Sequence, residues 1–271
     1  MPGPLLTRQT LTRLLAAFLA CGLTPALAGE QSARVCKAPN ELIRLTKALS
    51  RTARRLSHGE PLTIVTIGSS STAGAGASSP AASYPSRLEI ELQVEFPSSA
   101  IKVINRGVNG EEMPDMLARF ERDVIAARPD LVLWQVGTNS VLREHPLAPS
   151  SPLLLEGIRQ IKAIGADLII VDPQYAPKVI AKPEAAAMVK LISATVKEAD
   201  VDLFQRFAVM RYWHDEGHLA FSDFVSPDDL HMNDWGYACL AKQIGGLIRE
   251  AATRAVASAS ARAVIPASAT P

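Results

Sequence analysis

Five short runs of apolar, often β-branched residues punctuate this chain: LTIVTI (62–67), IKVIN (101–105), DLVLWQV (130–136), DLIIVD (167–172) and VDLF (201–204). Most of them do not alternate apolar with polar residues. Strands of that kind have both faces covered, the habit of a parallel sheet enclosed by helices. The stretches around them have helical spacing: 40–56, 84–96, 114–127 with Pro114 in its first turn, 151–165 ending at Gly165, 183–199 and 233–252. Strand and helix therefore alternate, and the predicted architecture is a three-layer, doubly wound α/β domain with helices on both faces. Such sheets bind ligands beyond the carboxyl ends of their strands. Small and polar residues stand there: GSSSTAG (68–74), NRGVNG (105–110), GTNS (137–140) and DPQYAP (172–177), with DDLHMNDWGY (228–237) leading into the last helix.

The domain is expected over 36–253. Ahead of it, Arg8 and Arg13 precede an apolar run, LLAAFLACGL (14–23), and Ala26-Leu27-Ala28 supplies a small-x-small cleavage site, so 1–28 read as a secretory signal peptide. The apolar run is too short to span a bilayer. A lipoprotein anchored through Cys21 is the lesser alternative. Cleavage near Ala28 leaves Cys36 and Cys239, and export to the periplasm or medium favours a disulfide between them. Closing so long a loop is worth roughly 5 kcal/mol as an upper figure. Two buried free thiols are the other reading. The Ala/Ser-rich stretch 254–271 has little to bury and is expected to be a disordered tail.

Composition narrows the function. The chain has 271 residues, is 48% hydrophobic and carries a net charge of +1. That is ample material for a core, and no basic run interleaved with aromatics points to nucleic acid. No cofactor motif is present. The stretch HDEGH (214–218) puts His214 beside His218 but lacks the H-E-x-x-H order of a zinc site, so no metal is expected. His145, beside Pro146, reads as a surface loop residue.

Two segments carry the chemistry. GSSSTAG follows the first strand, where a small-residue turn can present a hydroxyl at the sheet edge. Asp228 and His231 stand three apart, close enough for the carboxylate to orient the imidazole as a base. Asp229 and Asp223 are rivals for the acid. A serine hydroxyl needs such a base to become a nucleophile.

On these residues the chain resembles the SGNH hydrolases, also called the GDSL esterase/lipase family, over about 62–252. The resemblance implies the flavodoxin-like form of the fold, with a five-stranded parallel sheet. It maps the nucleophile of the family's G-D-S-x-T-x-G block to Ser70, with Ser69 in place of the acidic residue. It maps the oxyanion glycine to Gly107 and the oxyanion asparagine of G-x-N-D to Asn139, with Ser140 replacing the final Asp. The D-x-x-H block maps to Asp228 and His231. The implied activity is ester hydrolysis through an acyl-enzyme, with the Ser70 N–H, the Gly107 N–H and the Asn139 amide binding the oxyanion.

The substrate is less constrained. Tyr84, Gln174 and Tyr175 follow strands or lie in facing loops and are candidates to line the pocket, and Trp134 is a candidate for pocket or core. The aromatic-rich stretch 206–229 reads as a lid, a carbohydrate platform or packing. Export favours short acyl groups on carbohydrate or polysaccharide over cytosolic thioesters. The alternatives are an O-acetyltransferase or a lipase/thioesterase with the same triad, and an exported carbohydrate-binding protein on the same fold. No membrane span is expected, and the oligomeric state is left open.

Overall fold

In the computed structural model residues 36–263 are described, with side chains to residue 254. The expectations for the signal peptide, for Cys21 and for 264–271 lie outside the described residues. Each apolar run forms a strand: β1 Leu62–Gly68, β2 Ile101–Gly107, β3 Leu131–Gln135, β4 Asp167–Val171 and β5 Asp202–Phe204. All pairings are parallel and the order is β2-β1-β3-β4-β5, as expected of the flavodoxin-like arrangement. The register brings Gly68, at the end of β1, beside Gly107, at the end of β2.

The two faces divide the apolar residues by the period of two that strand geometry imposes. Leu62, Ile64, Leu131, Leu133, Ile169 and Val171 face one core, with α1 (Ser50–Ser57), α3 (Tyr84–Glu95), α10 (Arg206–Asp215) and α12 (Asp234–Ala263). Val65, Ile67, Val132, Trp134, Leu168 and Ile170 face the other, with α4 (Met113–Ala118), α5 (Phe120–Asp123), α7 (Ser150–Ala163) and α9 (Ala185–Glu198). Trp134 belongs to this core. Its ring meets Phe120 edge-on at 4.9 Å and lies so close to Gly157 that a side chain there would clash.

Three expectations are corrected. The 40–56 helix is only α1; upstream, Asp202 accepts the N–H groups of Thr46 and Lys47 and draws them out of helical pairing. The 114–127 helix is broken at Arg119, whose guanidinium turns inward to the carbonyls of Gly68 and Arg106. The last helix continues to Ala263, past the expected tail boundary at 254, through an alanine-rich stretch of high helix propensity. Of the three readings of the 206–229 stretch, packing describes most of it: α10 buries Arg206, Val209, Met210 and Trp213, and Phe224 closes on Trp213. Cys36 and Cys239 are joined as a disulfide, with Cα atoms 5.4 Å apart, tying the start of the domain to α12.

Candidate active site

Ser70 opens α2 (Ser70–Ala73), a single turn directly after β1. The turn is shaped from beneath by Gln135, the last residue of β3. Its Oε1 accepts the Ser69 N–H at 2.9 Å and the Ser69 hydroxyl at 3.1 Å. Gly68 leaves no space for a side chain: a Cβ there would lie 2.3 Å from Thr72 Oγ1. The chain can therefore turn sharply out of the sheet and hold Ser70 half-buried at its edge.

The Ser70 hydroxyl lies 2.7 Å from Nε2 of His231, and Nδ1 of His231 lies 2.5 Å from Oδ2 of Asp228. The other Asp228 oxygen, Oδ1, accepts from the Ser226 hydroxyl at 2.7 Å and from the N–H groups of Leu230 and His231 at 2.9 Å each. Partial burial works to raise this carboxyl. The bonds from His231, Ser226 and the two backbone donors outweigh it and hold Asp228 well below the usual carboxylate range. An ionised Asp228 fixes the proton on Nδ1, so Nε2 is left to accept from Ser70.

The loop that carries this pair is pinned on several sides. Ser226 N–H donates to the His231 carbonyl and Lys178 N–H to the Asp229 carbonyl. Gly76, at φ 86°, presses against His231, and a Cβ at that position would come within 2.7 Å of the histidine's own Cβ. The segment around Gly76 is anchored by the Tyr237 hydroxyl on the Ala75 carbonyl (2.6 Å) and by Ser78 on Asp234. The rival acids are elsewhere: Asp229 is exposed at φ 60°, and Asp223 accepts the Ala220 N–H at the start of a short helix.

Asn139 stands in α6 (Thr138–Leu142), directly beyond β3, and its Nδ2 donates to the Glu111 carbonyl at 2.8 Å. Glu111 is held in turn by Arg119. Gly107, at the end of β2, has a partner within its own strand. Its N–H already donates to Asn105 Oδ1 at 2.9 Å, and a Cβ on it would lie 2.1 Å from the Ala73 nitrogen. The glycine is required because β2 and α2 meet there.

Two of the three pocket candidates are corrected as well. Tyr84 is 1% exposed, and its hydroxyl meets Thr72 Oγ1 behind the Ser70 turn. Burial pushes its phenol up to about 12. Gln174 is also 1% exposed and hydrogen-bonds Thr138, Arg206 and Leu230. Both face inward because each finds polar partners only beneath the surface. Tyr175 remains partly exposed, in an aromatic cluster with Phe207, Phe221 and His214. His214 is occupied by the Leu219 carbonyl, and His145 pairs with Glu112.

Sequence reasoning missed Gln135, Arg119 and Gly76. For Gln135 there was a signal, an amide closing an otherwise apolar, buried strand. Gly76 and Arg119 gave none, because their partners are distant in sequence.

The Non-GDSL lipase-like family matches the chain over residues 35–254. The chain belongs to that family. Its name separates it from the GDSL sequences, and here the first block reads Gly68-Ser69-Ser70, with the Ser69–Gln135 bonds where those sequences have an aspartate. The fold of this Non-GDSL member is nonetheless SGNH-like. It is similar to a two-domain esterase active on acetylated mannans, at TM-score 0.64 and 21% identity, over 78% of this chain and 56% of that one. It is also similar to an acetylxylan esterase from Geobacillus stearothermophilus, solved as a catalytic mutant, at TM-score 0.59 and 21% identity, over 69% of this chain and 94% of that one. A curated acetylxylan esterase from the same organism is 43% identical over 56 residues, a stretch that is 21% of this chain and 26% of the relative.

Proposed function

We propose that the protein is an exported serine esterase that removes short acyl groups, acetyl foremost, from carbohydrate. The observation that carries this reading is the continuous relay Ser70–His231–Asp228, with contacts of 2.7 and 2.5 Å, at the carboxyl edge of the sheet. Ser70 attacks the acyl carbonyl while His231 Nε2 takes its proton. His231 then protonates the leaving sugar oxygen, and Asp228 stabilises the imidazolium formed between those steps. Water repeats the sequence to release the acid and free Ser70.

Charge on the carbonyl oxygen is met by the Ser70 N–H and the Asn139 amide. Ser70 begins a helix, where an N–H has no carbonyl behind it. Asn139 Nδ2 spends one hydrogen on Glu111 and keeps the second. Gly107 joins them only by releasing Asn105, so we assign two donors to the resting site. Each is worth on the order of 3 kcal/mol in the transition state. The carbohydrate preference draws on the mannan and xylan esterases above, and the catalytic variants solved for the Geobacillus enzyme include a serine-to-alanine and a histidine-to-alanine change. Export draws on the leader-like sequence at 1–28 and on the disulfide, a bond that persists in oxidising compartments. No described helix is long and apolar enough to cross a membrane.

The test is hydrolysis of p-nitrophenyl acetate, butyrate and octanoate, and of acetylated xylo- and manno-oligosaccharides, by the full domain. The expected order is acetate first, with octanoate poor, and acetate release from at least one oligosaccharide. Inactivity on every ester would sink the reading, and a preference for octanoate would overturn the short-acyl part of it.

A further inference from the structure

The Gln174 side chain bridges the two halves of the candidate site from beneath. Its Oε1 accepts the Thr138 hydroxyl at 2.9 Å and the Arg206 guanidinium at 2.9 Å, and its Nε2 donates to the Leu230 carbonyl at 3.3 Å. Thr138 is the residue before Asn139, and the Leu230 carbonyl belongs to the peptide that leads into His231. The amide orientation is not free to reverse. Arginine can only donate, so the oxygen must face Arg206, and the NH₂ must then face Leu230. Arg206 is fully buried, and its Nε is fixed on the Asp172 main-chain carbonyl at 2.9 Å. A buried charge held this way gives a strong and directional bond.

We propose that Gln174 is a positioning residue: braced by Arg206, it sets the distance between the loop that carries His231 and the helix that carries Asn139. The proposal rests on the esterase reading above, since it takes those two residues as base and oxyanion donor. Its content is that the base and the donor are not independently placed. One buried amide spaces them.

Gln174→Glu isolates the claim. The change is nearly isosteric and keeps acceptors for Thr138 and Arg206, but it replaces the donor to Leu230 with an oxygen facing a carbonyl. With p-nitrophenyl acetate, kcat should fall roughly ten- to a hundredfold while KM stays within about twofold, because misplaced groups cost rate and not ground-state binding. Hydrogen–deuterium exchange over 226–232 should rise, while exchange over β1 and β3 stays as in the wild type. If circular dichroism shows that the glutamate variant fails to fold, Gln174→Met replaces it, with the same expected split and exchange. Unchanged kcat, a loss confined to KM, or unchanged exchange at 226–232 would each overturn the proposal. A wild-type protein inactive on every ester is a different result: it removes the esterase reading itself, whatever Gln174→Glu does.

Discussion

The two edges of the sheet use aspartate in opposite ways. At the amino edge, Asp130, Asp167 and Asp202 stand at the starts of β3, β4 and β5 and stitch on the segment that precedes β1. Asp202 accepts the N–H groups of Thr46 and Lys47, Asp167 accepts the Thr52 N–H at the start of α1, and Asp130 accepts the Thr63 N–H together with Arg51 and Arg55. Every partner but Thr63, in β1 itself, comes from the segment that precedes that strand. At the carboxyl edge, Asp228 saturates one oxygen on its own loop and turns the other to His231. A carboxylate engaged wholly with backbone, hydroxyl and arginine donors holds structure. One that keeps an oxygen for a titrating ring can serve chemistry. The residue type does not distinguish them; the remaining acceptor capacity does.

Substitutions of the side chains around Ser70 should therefore affect activity far more than stability, and substitutions at the amino edge should do the reverse. The largest expected effect is at Ser70. Ser70→Ala should lower kcat/KM by roughly 10⁵- to 10⁶-fold with an unchanged melting temperature, since the side chain is half-buried and packs little. A fully active variant would break the assignment outright. Asp228→Asn should cost up to about 10⁴-fold by favouring the wrong tautomer of His231. Steady-state rates for Asp228→Asn beside Asp229→Asn decide between the two acids, and an inactive Asp229 variant beside an active Asp228 variant would reverse them. Gly76→Ala comes next, at roughly ten- to a hundredfold in kcat/KM, because its new methyl group meets the Met232 carbonyl and His231 together and must displace the loop that holds His231 against Ser70, with some loss of stability from the left-handed backbone at φ 86°. Gly246→Ala, in α12 with no neighbouring atom within 4 Å, is the control and should keep full activity.

The sequence carried the frame of this comparison well. Strand positions and parallel pairing followed from apolar runs, because burial on both faces leaves a local record in composition, while the flavodoxin-like order came with the family resemblance. Ser70, Asp228 and His231 stood out by spacing within one block and by the turn after β1, and their side chains lie within hydrogen-bonding reach of one another. What was not legible lies in contacts between distant residues. Tyr84 and Gln174 were expected to line a pocket because polar residues after strands often do, but Thr72, Thr138 and Arg206 offered them partners inside. Gly107 matched a motif position while its N–H was already committed to Asn105, a fact fixed by side-chain orientation. The break at Arg119 depends on carbonyls of β1 and β2 that no local propensity can reveal.

The amino edge supplies a smaller effect. Asp202→Ala removes the acceptor for Thr46 and Lys47 and should cost about 1–3 kcal/mol of unfolding free energy, with water relieving part of the loss because Thr46 and Lys47 are exposed. kcat on p-nitrophenyl acetate should stay at the wild-type value. A variant of undiminished stability but reduced kcat would abolish the division between the two edges.

One aspartate at the carboxyl edge fits neither use. Asp172 follows β4 at the carboxyl edge, yet it is 1% exposed and touches no triad residue. Burial pushes its carboxyl up to about 7, although the Phe207 N–H and the Arg206 charge pull it down. In the unfolded chain the same group titrates near 3.9. Between about pH 4 and pH 7 the folded protein therefore keeps a proton that the unfolded chain has released. Stability must fall as pH rises through that window and level off above it. The slope from this group is at most about 1.4 kcal/mol per pH unit. The lowered carboxyl of Asp228 acts with the opposite sign, and its contribution is lost only as pH falls below the window. Asp172→Asn stays neutral and keeps an acceptor for the Phe207 N–H, so urea midpoints measured from pH 4 to 8 should flatten relative to the wild type. Parallel curves for the two proteins would show that Asp172 is ionised in the fold. It would then be a counterion to Arg206, and so closer in use to the amino-edge aspartates than to Asp228.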